Sequence, residues 1–132
     1  MGQRFARLLV VSLLAVVVCL GACAKFSPGW VAQDFIRSVG DGELDRAIEH
    51  ISVETRASFD DDKMRQILRR FTEDAVEKGG VKSVTVEKET VTGQTARVLL
   101  KVTFGDGSTK IEDVDLIEED GTWRVSPSLI DK

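Results

Sequence analysis

TARVLLKVTFGDGSTKIEDVDLIEEDGTWRV, residues 95–125, decides the fold. Ala96, Val98, Leu100, Val102 and Phe104 alternate with Arg97, Leu99, Lys101 and Thr103. A period of two means a half-buried strand, because successive side chains point to opposite faces of a sheet. Gly105-Asp106-Gly107 then reads as a hairpin turn, residues 109–118 as a further strand and Asp120-Gly121 as a second hairpin turn. Trp123 and Val125 begin a last strand that Pro127 weakens. Upstream, residues 81–90 read as a first strand with Val84 and Val86 on one face, and Gly93 marks the turn after it. The expectation is a four-stranded antiparallel meander.

Register inside this segment decides which acids face the core. A two-residue turn at Asp106-Gly107 sets Leu100 opposite Asp113 and puts Asp113 and Asp115 on the apolar face. A three-residue turn, residues 105–107, sets Arg97 opposite Asp115 and sends Val114 and Leu116 inward. One residue of slip flips every side chain. The cost of burying unpaired carboxylates favours the second register.

The chain before Gly80 has helical spacing instead. Ser27 is a good N-cap with Pro28 at the first helical position, followed by Trp30, Val31, Phe35, Ile36 and Val39 on one face. Gly40-Asp41-Gly42 should stop that helix. Leu44, Ala47, Ile48 and Ile51 mark a short second helix. Ser52 caps another turn, in which Val53, Arg56, Ala57 and Phe59 are periodic. Asp60, Asp61 and Asp62 suit the positive end of the longest helix, whose buried stripe is Met64, Ile67, Leu68, Phe71 and Ala75. Gly79-Gly80 ends it. Helices followed by a meander make an α+β fold, with the helices packed on one face of the sheet.

The first residues belong to a different layout. Arg4 and Arg7 are followed by an apolar run over residues 8–20, with Ser12 its only polar member, then Gly21, Ala22 and Cys23. This is the three-part pattern of a secretory signal. Leu20, Gly21 and Ala22 immediately before Cys23 resemble the bacterial lipobox. That resemblance implies cleavage before Cys23 and acylation of its sulfur. An uncleaved transmembrane helix is the alternative, but the uncharged run falls short of the roughly 20 residues that cross a bilayer. The expected organisation is a signal peptide over 1–22, a lipidated cysteine and short tether over 23–27, and one α+β domain over 28–132. Ala24, rather than Asp, follows the cysteine. In a bacterium with two membranes this implies the outer one, with the domain facing the periplasm.

Composition narrows the function. Removing Arg4 and Arg7 from the 18 basic residues leaves 16 against 22 acidic ones, a net of −6 for the mature part. That disfavours nucleic acid, which needs a basic footprint. Both cysteines, Cys19 and Cys23, belong to the leader region, so the mature domain expects no disulfide, thiol nucleophile or cysteine-based zinc site. One histidine cannot build a multi-histidine metal site. Counting from Asp113, a calcium loop would need Gly where Glu118 stands. No cofactor is expected. Lys63, Arg65, Arg69 and Arg70 read as a solvated helix face.

Two segments carry a wider resemblance. FIRSVGDGELDRAIEHIS, residues 35–52, resembles a helix, a tight turn and a second helix. The 95–125 hairpins end in Asp-Gly-x-Trp-x-Val. Together they resemble small bacterial lipoproteins of unknown function with a nuclear-transport-factor-2-like, or cystatin-like, domain. The resemblance implies a curved sheet wrapped around a helix, leaving a cone-shaped cavity. It is compatible with isomerases or dehydratases and with binding proteins, and fold alone does not choose. In an enzyme of this kind His50 paired with an acid could work as acid and base. No motif places an acid beside it, so a solvent-facing or capping role is expected. Asp113 and Asp115 are the candidate cone acids if register turns them inward.

The absent catalytic motifs favour a lipid-anchored, non-catalytic binding or interaction domain of the cell envelope. It would touch the membrane through acyl chains on Cys23 and take a small ligand or an envelope protein. The alternatives are a small isomerase- or dehydratase-like enzyme and a structural accessory of an envelope complex.

Overall fold

The computed structural model describes residues 26–126. The leader, the lipobox and Cys23 lie outside the described residues. Four helices come first: α1 (Pro28–Gly40), α2 (Leu44–Glu49), α3 (Val53–Ser58) and α4 (Asp61–Glu77). Four strands follow: β1 (Val81–Thr92), β2 (Thr95–Phe104), β3 (Thr109–Glu119) and β4 (Thr122–Val125). They form one antiparallel sheet in the order β1-β2-β3-β4.

The hairpin register follows from the turn. Phe104 N–H donates to Ser108 O at 2.9 Å and Gly107 N–H to Phe104 O at 3.0 Å, closing a three-residue turn over 105–107. Gly107 sits at φ 87°, a conformation that suits glycine. Arg97 therefore pairs with Asp115, and Val98 with Val114. Val98, Leu100, Val102, Val114 and Leu116 are all buried. The β3–β4 turn is the two-residue Asp120-Gly121, both residues at positive φ, as a type I′ hairpin requires.

α1 lies across the inner face of the sheet and packs Val31, Phe35, Ile36 and Val39 into the core with Met64 and Leu68 of α4. Its start is capped twice. Ser27 Oγ accepts from Trp30 N–H at 3.2 Å, and Glu89 Oε1 accepts from Gly29 N–H at 3.1 Å. Glu89 reaches α1 because of a bulge. The pairing slips between Val86 and Lys88, so Glu89 falls opposite the buried Val98 and points to the helix side. Strict alternation from Val84 and Val86 would have put Lys88 there.

α1 ends at Gly40-Asp41-Gly42 as expected: Gly40 is its last residue, Asp41 its C-cap, and Gly42 turns at φ 78°. Gly40 is buried, and an added Cβ would overlap Val81 Cγ2, so close helix–strand approach also explains this glycine. Two expectations need correction. Phe59 is not helical but extended, at φ −127° and ψ 139°, and ends α3. Ile67 and Phe71 of α4 are only half-buried, because they line a cavity between α4 and β3 instead of entering the closed core.

α4 ends as Gly79-Gly80 implied. Gly80 N–H donates to Ala75 O at 2.7 Å and Gly79 N–H to Val76 O at 3.0 Å, a Schellman pair. The same turn clips the β2–β3 hairpin: Gly105 N–H donates to Gly80 O and Asp106 N–H to Lys78 O.

Candidate functional site

α2 is short, and its C-terminus is pinned to the sheet. Val125 N–H donates to His50 O at 2.7 Å and Ser52 N–H to Val125 O at 2.9 Å, with a parallel bridge between Ile51 and Val125. This backbone anchor holds Arg46 and His50, four residues apart, on the same side of α2 and its cap. Both side chains meet Asp34 of α1. His50 Nε2 stands 2.7 Å from Asp34 Oδ2. Arg46 grips the same carboxylate with two bonds, Nη2 to Oδ1 at 2.8 Å and Nε to Oδ2 at 3.2 Å. Burial raises the Asp34 carboxyl pKa, but the hydrogen bonds from His50 and Arg46 and their charges outweigh burial and hold it below its ordinary value.

The expectation of a solvent-facing or capping histidine is therefore half right. His50 does cap α2, but its ring is engaged by a carboxylate sixteen positions upstream. The second ring nitrogen has no hydrogen-bond partner among the described residues, and the His50 side chain is 18% exposed.

Beside this triad lies a groove of about 480 Å³. Phe26, Trp30 and Trp123 supply its aromatic walls, and Asp34, Arg46 and His50 its fixed polar groups. Trp30 meets His50 edge-on, with ring centroids 6.3 Å apart. The Asp120-Gly121 turn carries Trp123 to the other side of the groove. Arg124 closes that side through a hydrogen bond from its guanidinium to Glu49 O.

The matching sequence takes in the whole described domain. Residues 21–126 match the family described as "Domain of unknown function (DUF4878)". The chain belongs to that family. Among solved structures it resembles a crystal structure from Campylobacter jejuni, provisionally described as an NTF2-like transpeptidase, at 23% identity and TM-score 0.70. That match covers 76% of this chain and 98% of the other, and it shows an NTF2-like fold. A SEC-C motif containing protein from Rhodopseudomonas palustris shares 18% identity over 81% of each chain, but at TM-score 0.48 the likeness is too loose to inform the fold. No curated protein matches the sequence.

In this DUF4878 domain a second cavity, of about 400 Å³, lies between α1, α4 and β3, where a cone was expected. Phe35, Ile36, Val39, Ile67, Leu68 and Phe71 make it apolar. Its polar residues are Lys110 and Glu112, two positions apart along β3, which pair at 2.8 Å without hydrogen-bond alignment. Lys110 Nζ also lies 5.5 Å from the centre of the Phe71 ring.

The acids singled out from sequence do not enter the cone. Asp115 takes a hydrogen bond from Arg97 Nε at 2.8 Å, and Asp113 Oδ1 faces the same nitrogen at 3.6 Å. Both lie on the outer face of the sheet, since Val114 and Leu116 between and beside them are buried. The acid that does reach the cone is Glu112, which pairs in register with the buried Leu100. Sequence reasoning passed over Glu112 and Asp34. The available signals were parity with Val114 and Leu116 for Glu112, and helical spacing from Trp30 for Asp34. The lipobox residues Leu20, Gly21 and Ala22, and Cys23, lie outside the described residues.

Proposed function

We propose that this chain is a lipid-anchored, non-catalytic binding module of the bacterial cell envelope, tethered through Cys23 and holding a small ligand between Trp30 and Trp123. One observation carries the binding role: an aromatic groove of about 480 Å³ on which Asp34, Arg46 and His50 converge. Small molecules bind in clefts of this size, where mostly apolar walls carry a few fixed polar groups. The location rests on Leu20-Gly21-Ala22-Cys23 and the leader before it. Two or three acyl chains, at about 0.8 kcal/mol per buried methylene, hold a protein firmly on a membrane. In a bacterium with two membranes, Ala24 after the cysteine favours the outer membrane, facing the periplasm.

Native mass spectrometry of the protein extracted from its membrane tests both halves. The expected result is an acylated mass at Cys23 together with a retained small molecule that Trp123→Ala loses. An intact leader removes the anchor. A ligand retained equally by Trp123→Ala removes the groove.

The Asp34–His50 pair supports a second reading, in which His50 acts as a general base. Asp34 would fix the ring and offset its positive charge, while the second nitrogen takes a proton from a bound substrate. Conversion of the co-purified molecule on incubation, abolished in His50→Gln, would favour this reading. Recovery of that molecule unchanged favours the binding module.

A further inference from the structure

We infer that the stacked Phe26–Trp30 pair is a membrane foot, seated in the headgroup layer of the bilayer that carries Cys23, and that it holds the Trp30/Trp123 groove at the membrane surface. This rests on the lipid anchor proposed above.

The rings are in water and ordered against each other. Phe26 is 65% exposed and Trp30 39% exposed, yet their centroids stand 4.0 Å apart with planes 16° from parallel. The pair is held by the start of α1. Ser27 Oγ accepts from Trp30 N–H, and Ser27 O accepts from Val31 N–H at 3.1 Å. Phe26 directly precedes that cap, so its backbone leaves the helix from a fixed point.

Chain length then determines what covers these rings. Phe26 is three residues after Cys23. An extended chain spans at most about 3.3–3.6 Å per residue, so the two Cα atoms lie within roughly 11 Å. Acyl chains on Cys23 hold that end of the tether at the boundary of the hydrocarbon. The headgroup layer above it is about 5–8 Å thick on each side of a bilayer. The tether is barely longer than the layer, so the exposed rings stand in it or at its edge. Tryptophan favours that zone, where its apolar body is buried and its N–H stays wet.

Charge does not offer another reason for contact. The mature part has a net charge of −6, from 16 basic and 22 acidic residues. Glu49 and Asp120 line the adjacent groove together with Arg46 and Arg124, and the Glu89 carboxylate reaches from β1 to cap the first turn of α1. The seat is aromatic and apolar, and it forms on zwitterionic lipid.

Trp123→Phe makes Trp30 the sole tryptophan, since the chain has two. This full-length variant is purified from membranes, its mass measured, and reconstituted into phosphatidylcholine vesicles with bromine near the carbonyl end of the acyl chains. The expected result is an acylated mass, a blue-shifted Trp30 emission and quenching of about twofold against unbrominated vesicles, insensitive to salt. A second variant inserts a long Gly/Ser segment between Ala24 and Lys25. Quenching should persist there, because the rings carry their own preference for the interface. An acylated protein whose Trp30 is unquenched overturns the foot and leaves the anchor standing. So does quenching lost on lengthening the tether, or quenching that varies with protein density, which would mean that a second copy covers the rings. An unacylated mass overturns the anchor and the foot with it.

Discussion

Asp34 is where the residue scale matters most. Its side chain is 16% exposed and meets two cationic or ionisable partners, whereas Arg46 across from it is 54% exposed. The buried end of the network is the sensitive one, because a partly desolvated carboxylate depends on each donor it has. Asp34→Ala should cost about 1–3 kcal/mol in urea unfolding, from losing charged hydrogen bonds. The pH dependence has a definite sign. The folded-state pKa of Asp34 is lowered, so its contribution is present above the ordinary carboxylate value, near 3.8, and is lost as pH falls through the lower folded value. Asp34→Asn should therefore flatten the acid limb of the stability profile. Equal acid limbs in the two proteins would refute the coupling. The triad was hidden in the sequence for a simple reason: Asp34 and His50 belong to different helices, and no local spacing brings them together.

At the scale of elements, two junctions hold the helices to the sheet. The first is Glu89 on α1. Its reach depends on the β1 bulge, and sequence alternation does not reveal an extra residue in a strand. Glu89→Ala should destabilise by roughly 0.5–2 kcal/mol, the usual range for losing a helix-start acceptor, measured by thermal or urea unfolding. A change within error would mean that solvent satisfies Gly29 N–H just as well. The second junction is the Gly79-Gly80 turn against Gly105. A Cβ on Gly105 would overlap the backbone of Gly79. Gly105→Ala should lower stability by about 2–4 kcal/mol, since backbone on both sides leaves no flexible group to move. The turn residues themselves were legible: a Gly-Gly after a helical stripe and Gly-Asp-Gly between alternating runs each have a stated local chemistry. Their contact with one another was not.

Across the whole molecule, β2 is the centre. It lies between β1 and β3, and Val98, Leu100 and Val102 have no exposed surface. Its amides should exchange with deuterium only through global unfolding, whereas the α3 amides, in a six-residue helix with Val53 exposed, should exchange by local opening. Exchange of β2 faster than that of α3 would contradict this order. Leu100→Ala should cost about 2–5 kcal/mol, the range for a large buried aliphatic side chain. The two cavities are lined by different residues. The cone is apolar with a Lys110–Glu112 pair at its edge, while the groove is aromatic with a polar triad. An apolar solute should therefore enter the cone, and a polar aromatic one the groove.

By itself the sequence determined the order of elements and the meander, and it favoured the three-residue turn that sends Val114 and Leu116 inward. Periodicity and turn chemistry act over a few residues, and burying Val114 and Leu116 decides the face that Asp113 and Asp115 must leave. Only the tertiary structure decided which side chains meet. Asp34 with His50, Glu89 with Gly29 and Gly105 with Gly79 are contacts across separate elements, set by a bulge, a backbone bridge and a close approach that have no local signature.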